Sequence, residues 1–282
     1  MEKGSNESLN LRFNLPPGIE DSPEYKFEKK ELYSEKKSKI QFFYESRIRS
    51  IIKLILESDL PEKSKILDLG CGGGNISLSL ISYGFDVYSV DIKPKNLIWF
   101  NKKAKINSME SCPVISNACN LPFREHIFDC VVATEIIEHL YRPAIFIETI
   151  KKVLKNDGIL VLSTPNRDAI NLTKAPKFSK IEKETDSNFI LPAELDFERN
   201  QPKHKGANHV FEFSEKELIY FLKKHGLDIC EVIKSSNKIF GNIGIKLFNY
   251  NKLLSMDVKY ADCIFSDIFY NAIIVKCIKK YL

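Results

Sequence analysis

Ile66-Leu67-Asp68-Leu69-Gly70-Cys71-Gly72-Gly73-Gly74-Asn75 is the stretch on which the fold turns. Ile66 to Leu69 is a short apolar run closed by glycines, the pattern of a buried strand. A helix is predicted from Asn75 to Ser82, directly after the glycines. Glycine lacks a Cβ, so the chain can turn sharply there and a ligand can approach the backbone closely. The start of the helix offers N–H groups without intrahelical partners. That place suits a phosphate, and it equally suits the carboxylate of an amino-acid cofactor.

Downstream the same rhythm continues. Strands are predicted at Val87–Ile92, Val114–Asn117, Phe128–Thr134 and Ile159–Thr164. Helices are predicted at Lys95–Asn107 and Pro143–Leu154, with Pro143 suited to a first helical turn. Asn156-Asp157-Gly158 reads as a turn. Strands alternating with helices imply an α/β fold whose parallel sheet is covered on both faces. Residues 1–23 are polar, contain Pro16-Pro17-Gly18, and read as an N-terminal arm. Residues 24–58 read as a helix, with Ile48, Ile51, Ile52, Ile55 and Leu56 at helical spacing. After Pro165 the periodicity stops, and residues 166–208 read as an insert on the acceptor side. Ser214 and Glu217 form a capping-box pattern for a further helix that Gly226 ends. Ile229–Ile233 and Ala272–Cys277 are the remaining strand candidates. The expectation is one domain over 24–282, with no internal repeat.

Composition narrows the function classes. The 282 residues are 44% hydrophobic, enough for one sizeable core. The formal net charge is +5, from 42 basic and 37 acidic residues. So small a surplus permits nucleic-acid contact without arguing for it. The seven cysteines (Cys71, Cys112, Cys119, Cys130, Cys230, Cys263 and Cys277) include no CxxC pair. Free thiols in a reducing compartment are expected, rather than a zinc finger or redox motif. Met-Glu-Lys-Gly-Ser-Asn-Glu shows no apolar signal core, and no apolar run reaches membrane-spanning length. A cytoplasmic protein without a membrane span is expected.

Three acids and amides give the glycine loop its meaning. Asp68 lies two residues before Gly70, at the mouth of the loop. An acid there favours an ammonium group and disfavours a pyrophosphate. Asp91 ends the next strand, where a carboxylate can accept both ribose hydroxyls. Asn117 is followed by Leu121-Pro122-Phe123, and its amide can pair with an adenine edge. A dinucleotide loop wants GxGxxG; Gly70 and Gly72 fit its first two glycines, but Asn75 stands at the last.

The arrangement resembles the class I S-adenosylmethionine-dependent methyltransferases. The resemblance rests on Asp68 to Gly74, Val90-Asp91, Asn117 to Phe123, Phe128-Asp129-Cys130-Val131-Val132 and Gly158 to Pro165, within about residues 45–235. It implies a Rossmann-like, doubly wound, seven-stranded sheet with the last strand antiparallel and helices on both faces. It implies that Asp68 serves the methionine end of S-adenosyl-L-methionine and that Asp91 binds the ribose. Cofactor contacts are expected from Asp68, Gly70, Cys71, Gly72, Gly74, Asp91, Ile92, Asn117, Ala118, Leu121, Thr134 and Glu135. The Asn117 position is more often Asp in that family, so weaker but intact adenine recognition is expected.

The acceptor side is read from Thr134-Glu135-Ile136-Ile137-Glu138-His139-Leu140. A helix starting near Glu135 would put Glu135, Glu138 and His139 on one face, at the carboxyl edge of the sheet. His209, in Asn208-His209-Val210-Phe211-Glu212-Phe213, could fold over the same place. Glu135, Glu138, His139 and His209 suit a divalent metal such as Mg²⁺, Mn²⁺ or Zn²⁺. His139 and His209 equally suit metal-free general-base catalysis. The ExxEH run with the later His-x-Phe-x-Phe is similar to two narrower groups. One is the small-RNA 2′-O-methyltransferases, whose Glu, Glu, His and His bind a metal. The other is the polyprenyl-catechol O-methyltransferases of quinone biosynthesis. Ser163-Thr164-Pro165-Asn166-Arg167 fits both.

Three functions remain open on these residues. The first is O-methylation of a small-molecule, glycan or lipid-linked acceptor. The second is metal-dependent RNA 2′-O-methylation, which the lack of a strong basic patch or appended RNA module counts against. The third is a non-catalytic cofactor-binding protein, against which the intact glycines and ribose acid argue.

Overall fold

The structure is a computed structural model that describes residues 11, 13–17, 29, 39–169, 209–237 and 270–279. Most of the predicted arm, the first part of the predicted helix at 24–58 and almost all of the insert lie outside the described residues. So do His204, the lysines from 174 to 183, Cys263 and Ile264 to Phe269.

The elements run α1 (Lys39–Leu56), β1 (Lys65–Leu69), α2 (Asn75–Ser82), β2 (Asp86–Asp91), α3 (Pro94–Ile106) and β3 (Cys112–Ile115). They continue with β4 (Phe128–Thr134), a 3₁₀ turn (Ile137–His139), α4 (Pro143–Val153), β5 (Leu154–Pro165), α5 (Glu215–Lys224), β6 (Leu227–Asn237) and β7 (Tyr270–Lys279). The strands form one seven-stranded sheet in the order β3-β2-β1-β4-β5-β7-β6. β1 to β5 pair in parallel. β7 runs antiparallel to both β5 and β6. The order reverses between β1 and β4, so the carboxyl ends of those strands flank the crevice where ligands bind in such sheets.

Strand periodicity sorts the core into two layers. Leu67, Leu69, Val131, Ala133, Leu160 and Leu162 face one side, where α4 and α5 bring Phe146, Ile147, Ile150, Phe221 and Leu222. Ile66, Cys130, Val132 and Val161 face the other, against Ile48, Ile51, Ile52 and Ile55 of α1 and Ile76 and Leu80 of α2. A smaller cluster joins Phe13 to Leu78, Phe100 and Ala104. Leu11 is buried in the α1 layer, and the backbone of Asn14 exchanges hydrogen bonds with the Asn107 side chain. These residues of the N-terminal stretch are therefore packed onto the domain.

Three local readings differ from the structure. β3 ends at Ile115, two residues before Asn117, which instead bridges to Asn120 in a tight turn. Asn156-Asp157-Gly158 lies within β5 as an irregularity, with Asp157 in the left-handed region at φ 59°. The pairing slips there, because Phe128 faces Leu154 while Cys130 faces Ile159. The helical turn at the acceptor side starts at Ile137, and Glu135 stands before it with φ 52°.

The capping box is formed in both directions. The Glu217 backbone N–H donates to Ser214 Oγ at 3.3 Å, and the Ser214 backbone N–H donates to the Glu217 carboxylate at 2.8 Å. Ser214→Ala is expected to lower unfolding free energy by about 1 kcal/mol, the usual cost of a lost N-cap. Urea unfolding monitored by circular dichroism measures it.

Candidate cofactor and acceptor site

The glycine loop is tied to its neighbours by backbone. The N–H groups of Gly70 and Cys71 both donate to the Val90 carbonyl, at 2.8 and 2.9 Å. The Gly72 N–H donates to Asp91 Oδ2 at 2.9 Å. Asp91 also accepts from Asn96 Nδ2 on Oδ2 and from the Lys93 N–H on Oδ1. Asp91 is thus a loop anchor as well as a candidate ribose acid, and Oδ1 retains a second lone pair for a hydroxyl. Ile92, next to it, is 62% exposed and offers an apolar surface at the same edge.

The loop threads between side chains. A Cβ on Gly70 would lie 2.9 Å from Ile136 Cδ1, and one on Gly74 would lie 2.1 Å from the Phe100 ring. At Gly72 nothing stands within 4 Å of that position. The outer face of Gly72 is an open cradle, as a cofactor site requires.

Asp68 supplies the second test of fit. Its carboxylate is 1% exposed. Ser89 Oγ donates to Ser77 Oγ at 2.8 Å, and Ser77 Oγ donates to Asp68 Oδ2 at 2.5 Å. Oδ1 has no hydrogen-bond partner. An unpaired buried carboxylate oxygen is costly, and the ammonium of an amino-acid cofactor would satisfy it. Burial pushes the Asp68 carboxyl from 3.8 up to about 6, with the Ser77 hydrogen bonds opposing and the Asp91 charge adding a little. Cys71 sits in the same loop, and burial raises its thiol far above the ordinary range, so it stays protonated.

The remaining cofactor candidates line the same edge. Asn117 is exposed, and its Oδ1 accepts from the Cys119 N–H at 2.9 Å. One lone pair of that oxygen is therefore committed to the turn. Ala118 is buried in the core layer and Leu121 packs against it. Thr134 pairs with Ser163 across the ladder. Glu135 is held on three sides. Its N–H donates to the Ser163 carbonyl, Ser163 Oγ donates to Oε1 at 3.1 Å, and Arg47 of α1 donates to Oε2 at 3.0 Å.

Glu138, His139 and His209 come together, with their candidate donor atoms within 4.8 Å of one another. Glu135 is outside that group, engaged with Arg47. Glu138 is 1% exposed, Thr164 Oγ1 donates to its Oε2, and its Oε1 has no hydrogen-bond partner. Burial first, and then the Glu135 charge, push its carboxyl well above the usual range; Thr164 and Arg47 oppose. His209 arrives through backbone: the N–H groups of Val210 and Phe211 donate to the Glu138 carbonyl at 2.7 and 3.2 Å. The rings of His139 and His209 meet edge to face at 4.9 Å. His209 Nδ1 lies 2.7 Å from Glu212 Oε1.

Arg47, Ser77, Ser89 and Glu212 were not singled out from the sequence. Arg47 sits on an ordinary amphipathic helix, and serines carry no signal of position. A second α1 contact joins them: Asn75 Nδ2 donates to the Tyr44 hydroxyl at 3.1 Å. One helix therefore touches both the glycine loop and Glu135.

Comparison with known proteins agrees with this fold. Residues 67–162 match the methyltransferase domain family. Ubiquinone biosynthesis O-methyltransferase from Rickettsia canadensis is 29% identical over 188 residues, covering 67% of this chain and 75% of that protein. The same-named protein from Glaesserella parasuis is 32% identical over 112 residues, 37% of this chain and 47% of its own length. A SAM-dependent methyltransferase structure from Methanosarcina mazei superposes with TM-score 0.52 at 19% identity, covering 81% of this chain and 98% of that one. The fold is that of the Rossmann-like methyltransferases. Across these comparisons the chain is similar to S-adenosylmethionine-dependent methyltransferases. The matches span about half the length of the first curated relatives.

Two outcomes test the cofactor site. Gly72→Val places a branched side chain in the open cradle at a backbone φ of 54°. It is expected to abolish the rise in Tm that S-adenosylhomocysteine gives the unaltered protein; an undiminished rise removes the assignment. Cofactor affinity is expected to weaken as pH falls through about 6, because Asp68 then takes up a proton and loses its attraction for the ammonium. The sign for the free protein is opposite. Its folded-state carboxyl binds a proton more tightly than the unfolded one, so this group's contribution to stability declines as pH rises from 3.8 to about 6. Titration calorimetry and unfolding across that range separate the two.

Proposed function

We propose that the chain transfers the methyl group of S-adenosylmethionine to a hydroxyl oxygen of a small-molecule, glycan or lipid-linked acceptor. The observation that carries the reading is the imidazole pair His139 and His209, beside a Glu138 Oε1 that has no hydrogen-bond partner. The O-methyltransferase names of the relatives support oxygen as the acceptor atom.

The cofactor, when bound, supplies an electrophilic methyl group on a sulfonium. The chain's residues do the rest. Asp68 Oδ1 takes the ammonium, Asp91 the ribose hydroxyls, and the Gly72 face lets the cofactor lie against backbone. Ile92, Asn117, Ala118 and Leu121 border the adenine, and Gly70, Cys71, Gly74, Thr134 and Glu135 shape the floor. One imidazole, His139 or His209, takes the acceptor's hydroxyl proton as its oxygen accepts the methyl. Arg47 holds Glu135 in its pair, which keeps that charge fixed beside the acceptor edge.

A second reading has its own observation. Glu138, His139 and His209 have donor atoms close enough for one divalent cation. A carboxylate and two imidazoles suit first-row ions such as Mn²⁺ or Zn²⁺. Such an ion would supply polarisation of the acceptor hydroxyl.

Among the described residues no helix is long and apolar enough to cross a membrane. Every described cysteine is a free thiol, which supports a reducing, cytoplasmic setting. An RNA acceptor is disfavoured by the small net charge.

Methyl transfer from labelled cofactor to a panel of catechols, phenols and short RNAs tests these readings together. His209→Ala is expected to lower kcat by about 100-fold or more while leaving cofactor affinity intact. Activity that survives exhaustive chelation removes the metal reading; methylation confined to RNA overturns the small-molecule one.

A further inference from the structure

We propose that Glu212 is a positioning residue of the acceptor site: it holds His209 by Nδ1 and makes Nε2 the nitrogen that carries the ring's lone pair. The proposal rests on the reading of His209 as an acceptor-side base or ligand.

His209 Nδ1 and Glu212 Oε1 are 2.7 Å apart. An ionised carboxylate can only accept a hydrogen bond, so Nδ1 is the donor. In a neutral imidazole that leaves Nε2 without a proton. Unaided, the ring would divide between two tautomers, and only one of them offers Nε2 to an acceptor proton or a cation. A carboxylate behind the second nitrogen settles the choice and fixes the ring plane.

The backbone around the pair is independently secured. Val210 and Phe211 donate to the Glu138 carbonyl. Phe213 is fully buried and bridges to Asn166. The rings of Phe211 and Phe213 pack edge to face at 4.8 Å. Glu212 lies between these two anchored aromatics, so its carboxylate is delivered to His209 by a segment held at both sides. His209 in turn meets the ring of His139, beside a Glu138 oxygen that is buried and unpartnered. The two carboxylates near the imidazole pair differ. Glu138 Oε1 lies 4.0 Å from His139 Nε2, beyond hydrogen-bond length, whereas Glu212 bonds its histidine directly. Glu212 is 39% exposed in its side chain, so replacing it leaves the core untouched.

The test is Glu212→Gln and Glu212→Asp in the full chain, metal-free and at mildly alkaline pH. Long-range ¹H–¹⁵N correlation spectra assign the His209 tautomer without any substrate. The unaltered protein is expected to show the Nδ1–H form, and Glu212→Gln a mixture. Glu212→Gln is expected to lower kcat by about 10-fold or more, with acceptor KM, cofactor affinity and Tm near those of the unaltered protein. Glu212→Asp is expected to recover part of the loss. A His209 ring in the Nε2–H form, or a Glu212→Gln protein with unchanged tautomer or unchanged kcat, overturns the proposal. The expected tautomer change in a protein that methylates nothing in the acceptor panel supports the placement of Glu212 and overturns the methyl-transfer reading instead.

Discussion

The chain leaves β1 through a gap that only glycine can pass. Ile136 stands on one side of the loop and the Phe100 ring on the other, at distances that a Cβ on Gly70 or Gly74 would violate. That steric fit joins three things that are far apart in sequence: the glycine turn, the start of the acceptor-side segment after β4, and helix α3. The hydrogen bonds from Gly70 and Cys71 to Val90, and from Gly72 to Asp91, close the arrangement from the β2 side. A loop held this way costs no further ordering when a ligand arrives. The open face of Gly72 and the unpaired Asp68 Oδ1 are then consequences of where the loop has been forced to run.

Charge is distributed around this frame with equal economy. Asp68 is buried with two serines in line behind it, so its hydrogen-bonding needs are met on one oxygen and left open on the other. Glu135 is paired with Arg47, while Glu138 is buried beside it with Thr164 as its side-chain donor among the described residues. Burial, with the Glu135 charge adding to it, raises the cost of ionising Glu138. A guanidinium beside one carboxylate and a histidine ring near the other separate their surroundings. Helix α1 is the element that makes this separation, since Tyr44 and Arg47 reach the cofactor loop and the acceptor edge from one helical face.

Much of this was legible in the sequence because it depends on local pattern. β4 and α2 fall on their predicted bounds, since an apolar run and a post-glycine helix start are local signals. The Ser214–Glu217 cap is likewise local. The end of β3 was misplaced by two residues because the Asn117–Asn120 turn resembles a continuing strand until its backbone is seen. Glu135 was placed on a helical face with Glu138 and His139, but a left-handed residue precedes the short 3₁₀ turn, and a long-range ion pair claims its side chain. Arg47 and Ser163, far apart in sequence, meet Glu135 only through tertiary packing, which no spacing rule encodes. Glu212 was quoted within the His-x-Phe-x-Phe run, yet its bond to His209 depends on χ angles rather than on spacing.

The two ends of the segment after β5 meet. Asn166 forms a parallel bridge with Phe213, and the Arg167 N–H donates to the Phe213 carbonyl at 3.0 Å. Arg167 also pairs with the capping Glu217 at 2.8 Å, so the seam is locked to the start of α5. Whatever length of chain is spliced between those ends, the frame that carries His209 closes at the same point. Loop closure grows only slowly with length, by about 0.6 kcal/mol for each doubling. The seam therefore lets the length of residues 170–208 vary at small entropic cost while Asn166, Arg167 and Phe213 keep their register.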